Sequence, residues 1–344
     1  LIIAVTGSDE LNLLCCTIAT QVGNCAAIAR VRTPEYSQEA KYLRDKLGLA
    51  LIINPELEAA IEMAHILHLP SSLEVTNFAH GQAQLIKYEI PEGSILDGTK
   101  LMDLGTRHHA NILIGAVERD DEVTIPSGDF VLRKGDKLSF VGERRHTKEF
   151  FSHIGVNTHS VKNTLIIGGG KAAYYLAKQL ISRGIKVKII ENSFERCEEL
   201  SILLPDAVII NGDGTEQALL KEEGIETCQS FVPLTGIDEE NIMLTLYAKQ
   251  VSNAKVITKL NRITFTNVIN SLDLGSVISP KYITSEAIIA YVRAKKNSMN
   301  CNIETLYNMY DSRVEAIEFF VSENSNVTDI PLRDLKLKKH LLIC

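Results

Sequence analysis

The chain has 344 residues, 45% hydrophobic and 23% charged, which is close to globular averages and excludes disordered and fibrous classes. Because single cores stop growing near about 250–300 residues, more than one domain is expected. The net charge of −7, without a long Lys/Arg run, argues against a nucleic-acid partner, and no apolar run approaches the ~18 residues of a spanning helix, so a cytoplasmic chain is expected.

The cysteine and histidine patterns predict no metal site. The seven cysteines contain no C-x-x-C pair, and the nine histidines are scattered along the chain. The adjacent pair His108 and His109 would point to opposite faces of a strand. We therefore expect reduced thiols and no metal ligands.

The chain begins in an α/β half, residues 1–72, that is repeated further on. The stretch VTGSDELNLLCCTIATQV, from Val5, aligns with LTGIDEENIMLTLYAKQV, from Leu234. Five polar or glycine identities fall within seven positions, each displaced by 229 residues: Thr6, Gly7, Asp9, Glu10 and Asn12 fall on Thr235, Gly236, Asp238, Glu239 and Asn241. Helical patterning alone rarely produces such identities, so we interpret the chain as a tandem duplication.

Further matches continue the duplication downstream of these stretches. The segment IPEGSILDGTKLMDL resembles the later VSENSNVTDIPLRDL, and Pro55 falls on Pro280. By this alignment Leu1 lies in the fourth strand of its sheet, and Cys344 corresponds to Leu113 inside a small module. We therefore expect both ends of the duplication to be truncated.

A small module, residues 73–155, follows the first α/β half. Strand-like QLIKYEI, NILIGAVE and DKLSFVG, turn-rich PEGS and DGT, and helix-like KLMDLGTR predict a compact α+β fold. The charged segment ERRHTKEFFSHIGVNTHSVKN is predicted to be a linker to the second α/β half, residues 160–296. A partial second small module, residues 297–344, completes the predicted order.

The second α/β half predicts a parallel sheet. Its apolar, β-branched runs alternate with helical patterns, which is typical of strands buried on both faces. The predicted strands are Leu165–Ile167, Lys186–Ile190, Ala207–Ile210, Ser230–Leu234, Val256–Leu260 and Ser276–Ile278. The fold class is therefore α/β, with tandem parallel sheets that are each followed by a small α+β module.

A glycine turn at the start of this half predicts a nucleotide site. Gly168, Gly170 and Ala173 form G-x-G-x-x-A between a strand and a helix, where free N–H groups and the helix dipole attract phosphate. Glu191 ends the next strand, and a carboxylate there accepts ribose hydroxyls and repels a 2′-phosphate. This arrangement favours NAD(H) or an adenine nucleotide over NADP. The alternatives are a glycine turn without a ligand and an ordinary strand-end carboxylate.

Two further residues near the predicted site have competing interpretations. Arg196 can contact the nucleotide, or it can pair with Glu199 three residues later, and the pairing is slightly preferred. Asp213 can face the adenosine, or it can form a capping box with Glu216. Both roles of Asp213 stay open.

The carboxyl edge of the sheet carries the remaining candidates, because doubly wound sheets bind ligands there. Leu234 and Thr235 end the fourth strand, and Lys259 ends the fifth, where it can neutralise phosphate or simply face solvent. Asp238 and Glu239 are interpreted as helix-capping groups rather than catalytic acids. In the first copy the corresponding edge residues are Val5, Thr6 and Arg30.

These motifs together resemble the RCK (regulator of K⁺ conductance, or KTN) nucleotide-binding family. The resemblance runs through IIGGGKAAYYLAKQL, VKIIENSFERCEEL, INGDGTEQALL, LTGIDEENIMLTLYAKQV and EFFVSENSNVTDIPLRDL. It implies Rossmann-like RCK-N halves and RCK-C small modules. The nucleotide-contacting positions it implies are Gly168, Gly169, Gly170, Lys171, Ala172, Glu191, Leu234, Thr235 and Lys259, with Val5, Thr6 and Arg30 in the incomplete copy.

The duplicated order is similar to that of the peripheral subunits of Trk-type potassium uptake systems. This similarity implies a non-enzymatic regulator that senses NAD(H), or ATP or ADP, and gates an integral membrane Trk channel subunit. It also implies a homo-oligomeric ring at the inner face of the plasma membrane. A ligand that binds two states differently can drive such gating without being consumed.

Two other classes compete with this interpretation. An NAD-dependent dehydrogenase needs an acid/base beside the nicotinamide, and the small module offers only His108 and His109, which align loosely with Lys339 and His340. A regulator of another cation channel, such as a Ktr-like channel, or of an antiporter is the other alternative. Duplication within one chain favours the Trk type, because Ktr-like regulators commonly have one unit per chain.

Overall fold

In a computed structural model the chain divides into two units, each built from two separate stretches of the sequence. Unit 1 comprises Leu1–His68 and Ser160–Ile288, and unit 2 comprises Leu69–His159 and Ile289–Cys344. The structure describes residues 1–23, 25–69, 71–78, 82–107, 111–156, 159–262, 269, 272–297, 302–310, 313–321, 325, 327–335 and 341–343. Within these ranges no helix is both long enough and apolar enough to cross a bilayer.

Helices and strands alternate along most of the chain. In chain order the elements are β1 (Ile2–Ala4), α1 (Asp9–Gly23), β2 (Ala27–Arg30), α2 (Pro34–Gln38), α3 (Ala40–Leu47), β3 (Leu51–Ile53), α4 (Pro55–His68), β4 (Glu74–Phe78), β5 (Ala83–Glu89), α5 (Leu101–Arg107), β6 (Leu113–Arg119), β7 (Glu122–Thr124), β8 (Lys137–Glu143), α6 (Arg144–His153), β9 (Asn163–Ile167), α7 (Lys171–Ile181), β10 (Lys186–Glu191), α8 (Phe194–Leu203), β11 (Val208–Asn211), α9 (Gln217–Glu222), β12 (Ser230–Pro233), α10 (Asp238–Val251), β13 (Lys255–Lys259), β14 (Ser276–Ile278), α11 (Pro280–Asn297), β15 (Asn302–Met309) and β16 (Val314–Phe320).

The second α/β half forms a six-stranded parallel sheet of order β11-β10-β9-β12-β13-β14. These are the six predicted strands, so that prediction is confirmed. All four positions of β12 are buried, which is typical of a strand covered by helices on both faces. The strand order reverses between β9 and β12, and in doubly wound sheets this switch point opens the ligand crevice.

The first α/β half repeats part of this architecture. Its strands form a parallel sheet of order β1-β2-β3, the same order as β12-β13-β14. The tandem arrangement inferred from the sequence repeat is therefore present in the fold.

Helices α4 and α7 join the two halves within unit 1. Ala60, Met63 and Leu67 of α4 belong to the same buried core as Leu176 and Leu180 of α7. Each fully buried Met or Leu side chain stabilises the fold by roughly 1.5–3 kcal/mol. The helix that starts at the glycine turn is therefore anchored to the first half along its length.

Unit 2 contains an antiparallel sheet of order β4-β5-β8-β6-β7. Strands β5, β6 and β8 and helix α5 coincide with the segments predicted for the first small module, which confirms its α+β character. The hairpin β15–β16 of the second small module shares a core with this sheet. Tyr310 accepts a hydrogen bond from the Ser139 hydroxyl at 2.7 Å and donates one to the Lys137 carbonyl at 2.9 Å.

The prediction that the charged segment ERRHTKEFFSHIGVNTHSVKN is a linker is wrong for the first part of that segment. Arg144–His153 forms α6, and Phe150 and Phe151 on that helix are almost completely buried in the core of unit 2. The ring of Phe140 on β8 meets both of them edge-to-face, at centroid distances of 5.6 and 5.7 Å. The two adjacent aromatic residues therefore hold the helix in the small module, whereas its charged residues face outward.

Candidate nucleotide-binding site

The glycine turn connects β9 to α7 at the switch point of the sheet. Gly168 has a φ of +94°, and a Cβ at this position would lie 3.1 Å from the Leu234 carbonyl oxygen, so glycine is strongly favoured. Gly170 is the N-cap of α7, and a methyl group added to it would meet no described atom within 4 Å. The turn is therefore closed at its first glycine and open at its third.

The first turn of α7 has free backbone donors. Lys171 and Ala172 occupy the first two positions of the helix. No described side chain accepts a capping hydrogen bond at its N-cap, Gly170. Ala173 is fully buried, as the small third residue of G-x-G-x-x-A should be where the helix packs against the sheet. Uncapped N–H groups at a helix start attract an anion such as a phosphate.

Glu191, at the end of β10, folds over this turn. Its Oε2 accepts a hydrogen bond from the Gly169 N–H at 2.6 Å, and its Oε1 accepts one from the Ser193 N–H at 2.8 Å. The carboxylate therefore already holds the amide of the central glycine. A phosphate that uses the same amide would have to displace it.

Arg196 is committed to protein contacts. Its guanidinium pairs with Glu199 at 2.5 Å, so the predicted i, i+3 pair is confirmed. Its Nε also donates to the Gly169 carbonyl at 2.7 Å, a contact that the sequence motifs did not reveal. The central glycine of the turn is thus held at its N–H by Glu191 and at its carbonyl by Arg196.

Asp213 does not form the capping box that was one of its two predicted roles. Its Oδ1 accepts hydrogen bonds from the Thr215 N–H at 2.8 Å and the Thr215 hydroxyl at 2.7 Å, and these bonds lower the pKa of the carboxyl. Helix α9 instead starts after Glu216, without a side-chain cap. The short turn satisfies Asp213 locally, because Thr215 offers two donors closer than the helix start.

Leu234, Thr235 and Lys259 come together at the carboxyl edge of β12 and β13. The Lys259 ammonium donates to the Leu234 carbonyl at 3.3 Å and is half-buried, so Lys259 is not the solvent-facing strand end that was one of its two interpretations. Burial lowers the pKa of Lys259 from its ordinary value, and the carboxylates of Asp238 and Glu56 oppose that shift. The edge thus presents a positive charge beside the glycine turn.

A buried asparagine organises this edge identically in both copies. Asn241 accepts from the Thr235 N–H and hydroxyl, both at 3.0 Å, and donates to the Lys259 carbonyl at 3.0 Å. In the first copy Asn12 makes the same bonds to Thr6, both at 2.7 Å, and donates to the Arg30 carbonyl at 2.9 Å. The conspicuous Thr–Asn identity of the repeat therefore ties the end of one strand to the next.

Replacing Asn241 with alanine should destabilise unit 1 by about 2 kcal/mol, because part-buried backbone groups of Thr235 and Lys259 lose their hydrogen bonds to the amide. Urea unfolding followed by circular dichroism measures this loss. Asn12→Ala should cost a similar amount, whereas Asn211→Ala, at an exposed asparagine, should cost much less. Equal stabilities of the Asn241 and Asn211 variants would contradict the network's role.

Asp238 is not a helix cap, contrary to prediction. Its carboxylate accepts from the backbone N–H groups of Asn261 and Arg262, both at 2.8 Å, and the N-cap Ile237 offers no side-chain bond. Asp9 accepts from the equivalent amides of the first copy, those of Arg32 and Thr33. In each copy this acid fixes the loop after the second strand of the repeat.

The three site residues of the first copy lie at a sheet edge. Arg30 replaces Lys259 and donates to the Thr6 carbonyl at 2.6 Å, and Val5 is 49% exposed. Among the described strands only β2 pairs with β1, and none lies against β1 in the place that β9 takes beside β12.

Polar residues of the first half approach the start of α7, which the sequence motifs did not predict. Lys171 donates to the Thr33 hydroxyl oxygen at 3.2 Å, and Thr33 in turn donates to Asp9 at 2.7 Å. Burial raises the pKa of Asp9, but bonds from Thr33 and Arg32 outweigh it and bring the pKa below its ordinary value. The segment ARVRTPEY, which begins with the last two residues of β2, is the place where these residues could have been found.

Several buried polar atoms along this edge have no hydrogen-bond partner in the described part of the chain. Arg32 lies 4.0 Å from Asp9 and 3.8 Å from Glu56. The unpartnered atoms are Asp9 Oδ1, Arg30 Nε, Arg32 Nε and Glu56 Oε2. Buried charged groups with unused hydrogen-bonding capacity fit an edge that meets a polar ligand or bound water.

The histidines considered for a dehydrogenase fall outside the described residues. His108 and His109, like Lys339 and His340 of the second small module, belong to the undescribed part of the chain. Among the residues that are described, no group of three or more His, Cys, Asp or Glu side chains could hold a metal ion.

Two family models match the chain. The TrkA-N domain matches residues 164–280, which include the glycine turn, Glu191 and Lys259. The TrkA-C domain matches residues 85–155, in the sheet of unit 2. The two matched regions together carry the larger and the smaller module types of this chain.

Known proteins are similar over most of the chain. The Trk system potassium uptake protein TrkA homolog 1 of Methanosarcina mazei is 32% identical, over 100% of this chain and 77% of the relative. Among solved structures, the GsuK RCK domain has a TM-score of 0.64 at 19% identity, covering 88% of this chain and 66% of that chain. The GsuK channel bound to NAD has a TM-score of 0.63 at 19% identity, covering 89% and 54%. At such identities the structural likeness establishes the RCK fold.

Proposed function

The chain belongs to the TrkA family of Trk system potassium uptake proteins, and from this premise we propose that it is a nucleotide-sensing regulatory subunit of such a system. The observation that carries the proposal is the uncapped start of α7, reached through Gly168 and Gly170 at the switch point of the sheet. The fold is shared with a channel whose structure has NAD bound.

NAD(H) is the proposed ligand, with its pyrophosphate on the free N–H groups at the start of α7. Glu191 would leave Gly169 and accept the hydroxyls of the adenosine ribose, and Asp213 would face the adenosine. Lys259 and Lys171 would balance phosphate charge, because both are cations at the edge of the crevice. ATP or ADP is the alternative ligand, since it shares the adenosine and the phosphates.

We further propose that the four inferred modules, residues 1–72, 73–155, 160–296 and 297–344, act as one sensor. A bound nucleotide shifts an equilibrium between two arrangements when its affinity for them differs, and it need not react. The site offers phosphate and ribose recognition through backbone amides and one carboxylate. This inventory is sufficient for sensing, and the protein is proposed to be a regulator rather than an enzyme.

The proposed partner is the integral membrane channel subunit of a Trk system. The proposal rests on the family, whose named relatives are Trk uptake proteins. We also propose that the protein forms a homo-oligomeric ring at the inner face of the plasma membrane. The edge of the first copy, at Val5, Thr6 and Arg30, is proposed as a further nucleotide contact. Affinity purification from membranes, followed by identification of the integral partner, tests the proposed partner. Recovery of an antiporter or another cation channel would contradict the proposed Trk partner and identify the transporter that the protein regulates.

Glu191→Ala should weaken NADH binding about tenfold, because a charged acceptor for the ribose hydroxyls is lost. The same change should narrow the preference for NADH over NADPH, since the carboxylate that repels the 2′-phosphate is gone. Isothermal titration calorimetry of the wild type and the variant with NADH and NADPH measures both the affinity and the preference.

The matched control is Glu199→Ala, which removes an exposed carboxylate from α8, the helix that follows β10, and should leave NADH affinity close to that of the wild type. An unchanged affinity in the Glu191 variant would count against the site assignment. Failure of the wild-type chain to bind NADH, ATP or ADP would overturn the proposed function itself.

Turnover separates a sensor from a dehydrogenase. NADH mixed with the protein and a panel of oxo acids should remain unoxidised while binding is saturated. Steady oxidation of NADH would contradict the regulatory assignment, because a sensor has no need of an acid/base beside the nicotinamide.

A further inference from the structure

The second turn of α7 carries a buried tyrosine hydroxyl that the nucleotide site does not use. Tyr175 is 6% exposed, and its hydroxyl donates to the Arg32 carbonyl at 2.9 Å. The same oxygen accepts a hydrogen bond from the Asn54 amide at 3.0 Å. Through this one oxygen, helix α7 of the second half is bonded to a backbone carbonyl and to a side-chain amide of the first half.

Asn54 extends this connection to two more elements. Its Oδ1 accepts from the Leu57 N–H at 3.0 Å, which caps the start of α4, and its Nδ2 also donates to the Ser37 hydroxyl on α2. Asn54 itself is 6% exposed. The start of α4, the helix α2 and the loop at Arg32 therefore all meet at Tyr175.

The packing of α4 against α7 does not require these hydrogen bonds. The α4–α7 contact already buries a continuous apolar core. A hydrogen-bonded hydroxyl in such a core contributes little net stability, but it fixes one relative position, since any other position leaves buried groups unpaired. The Tyr175 hydroxyl consequently specifies how α7 is placed against the first half.

Lys171 places a second contact on the same side of α7, one turn earlier. It lies four residues before Tyr175, so the two side chains share a helix face, and it donates to Thr33, the neighbour of Arg32. The first two turns of α7 therefore both bind the Arg32–Thr33 segment. A displacement of the start of α7 moves that segment with it.

We propose that Tyr175 is the positioning residue that transmits nucleotide occupancy at the glycine turn to the first α/β half, through Arg32 and Asn54. This inference rests on the proposed function, in which a nucleotide binds at the start of α7. A ligand that shifts α7 then alters the loop after β2 and the start of α4, the helix that ends where the chain passes into unit 2. Coupling through a packed, hydrogen-bonded element of this kind can change a distant equilibrium.

The test is Tyr175→Phe, which keeps the ring and removes only the hydroxyl. Amide hydrogen exchange is measured for the wild type and the variant, with and without saturating NADH. In the wild type, NADH should slow exchange about fivefold in residues 164–176 and also in residues 32–38 and 54–60. In the Tyr175→Phe variant the response in residues 164–176 should persist, and the response in residues 54–60 should fall below about twofold. The response in residues 32–38 should be weaker than in the wild type, although the contact of Lys171 with Thr33 remains. NADH affinity should stay within about threefold of the wild type.

Tyr174→Phe is the matched control. The neighbouring ring meets Tyr175 edge-to-face at 5.4 Å, and its hydroxyl has no hydrogen bond within the described residues, so this variant should respond like the wild type. Asn54→Ser is a second disruption, because serine can still cap α4 but is too short to reach Tyr175. It should lose the response in residues 54–60 and keep the response in residues 32–38, because the bond from Tyr175 to the Arg32 carbonyl remains.

The outcomes separate the two claims. If the wild type binds NADH and the Tyr175→Phe variant still transmits the response to residues 32–38 and 54–60, the coupling role is overturned and the nucleotide site stands. An equal loss in the Tyr174→Phe control would also overturn it. If the wild type binds neither NADH nor ATP, the proposed function fails first, and the coupling inference fails with it.

Discussion

Replacing Gly168 with alanine should destabilise unit 1 by about 3–4 kcal/mol. A left-handed backbone costs a non-glycine residue about 1–2 kcal/mol, and forcing a methyl into a tightly packed position costs about 1–3 kcal/mol more. Both costs apply here, because φ is +94° and the new Cβ would lie 3.1–3.2 Å from backbone atoms of Leu234 and Thr235.

Urea unfolding monitored by circular dichroism measures this loss. Gly184→Ala is the matched control, because Gly184 has a φ of +76° but an added Cβ there meets no described atom within 4 Å. That variant should carry only the backbone cost, about 1–2 kcal/mol. If the two variants lost the same stability, the close approach of β9 and β12 at Gly168 would be unimportant.

Gly170→Ala should behave in the opposite way, with the fold intact and nucleotide binding almost abolished. The backbone at Gly170, with φ of −66° and ψ of −175°, suits any residue, and the added methyl has open space. That space is where the proposed pyrophosphate would approach the start of α7, so the methyl should lower NADH affinity about hundredfold, or about 3 kcal/mol.

Isothermal titration with NADH, together with unfolding curves, separates binding from stability in this variant. Gly105→Ala, in unit 2, is the control, since its added methyl also meets no described atom within 4 Å and it is remote in sequence from the glycine turn. Wild-type affinity in the Gly170 variant would exclude a phosphate at this glycine. A collapse of stability would instead contradict the open geometry of the turn.

The residues of the glycine turn and the strand edge were predictable from the sequence because they belong to a local repeating pattern. Gly168, Gly170 and Glu191 lie within a single strand–helix–strand unit, and the spacing along such a unit determines where each residue falls. The repeat also singled out Thr235 and Asn241. Their identity was evident from the alignment, although the bonds that explain it were not.

The incorrect predictions share one physical cause, which is that a side chain takes whichever partner the fold brings closest. Asp238 has the sequence context of a helix cap, yet two amides of the loop after β13 reach its carboxylate instead. The segment from Arg144 to His153 has the charge of a linker, but Phe150 and Phe151 find an apolar core in unit 2. Local composition does not reveal such long-range partners.

The sequence by itself determined the tandem α/β architecture, the glycine turn and the acid beside it, because periodicity and glycine conformation act over a few neighbouring residues. Only the tertiary structure decided that Glu191 lies on the Gly169 amide, that Lys171 reaches Thr33, and that Tyr175 joins the two halves. These last two contacts span 138 and 143 residues. Hydrogen bonds of that range depend on how the packed helices α4 and α7 place the two halves, which no local pattern encodes.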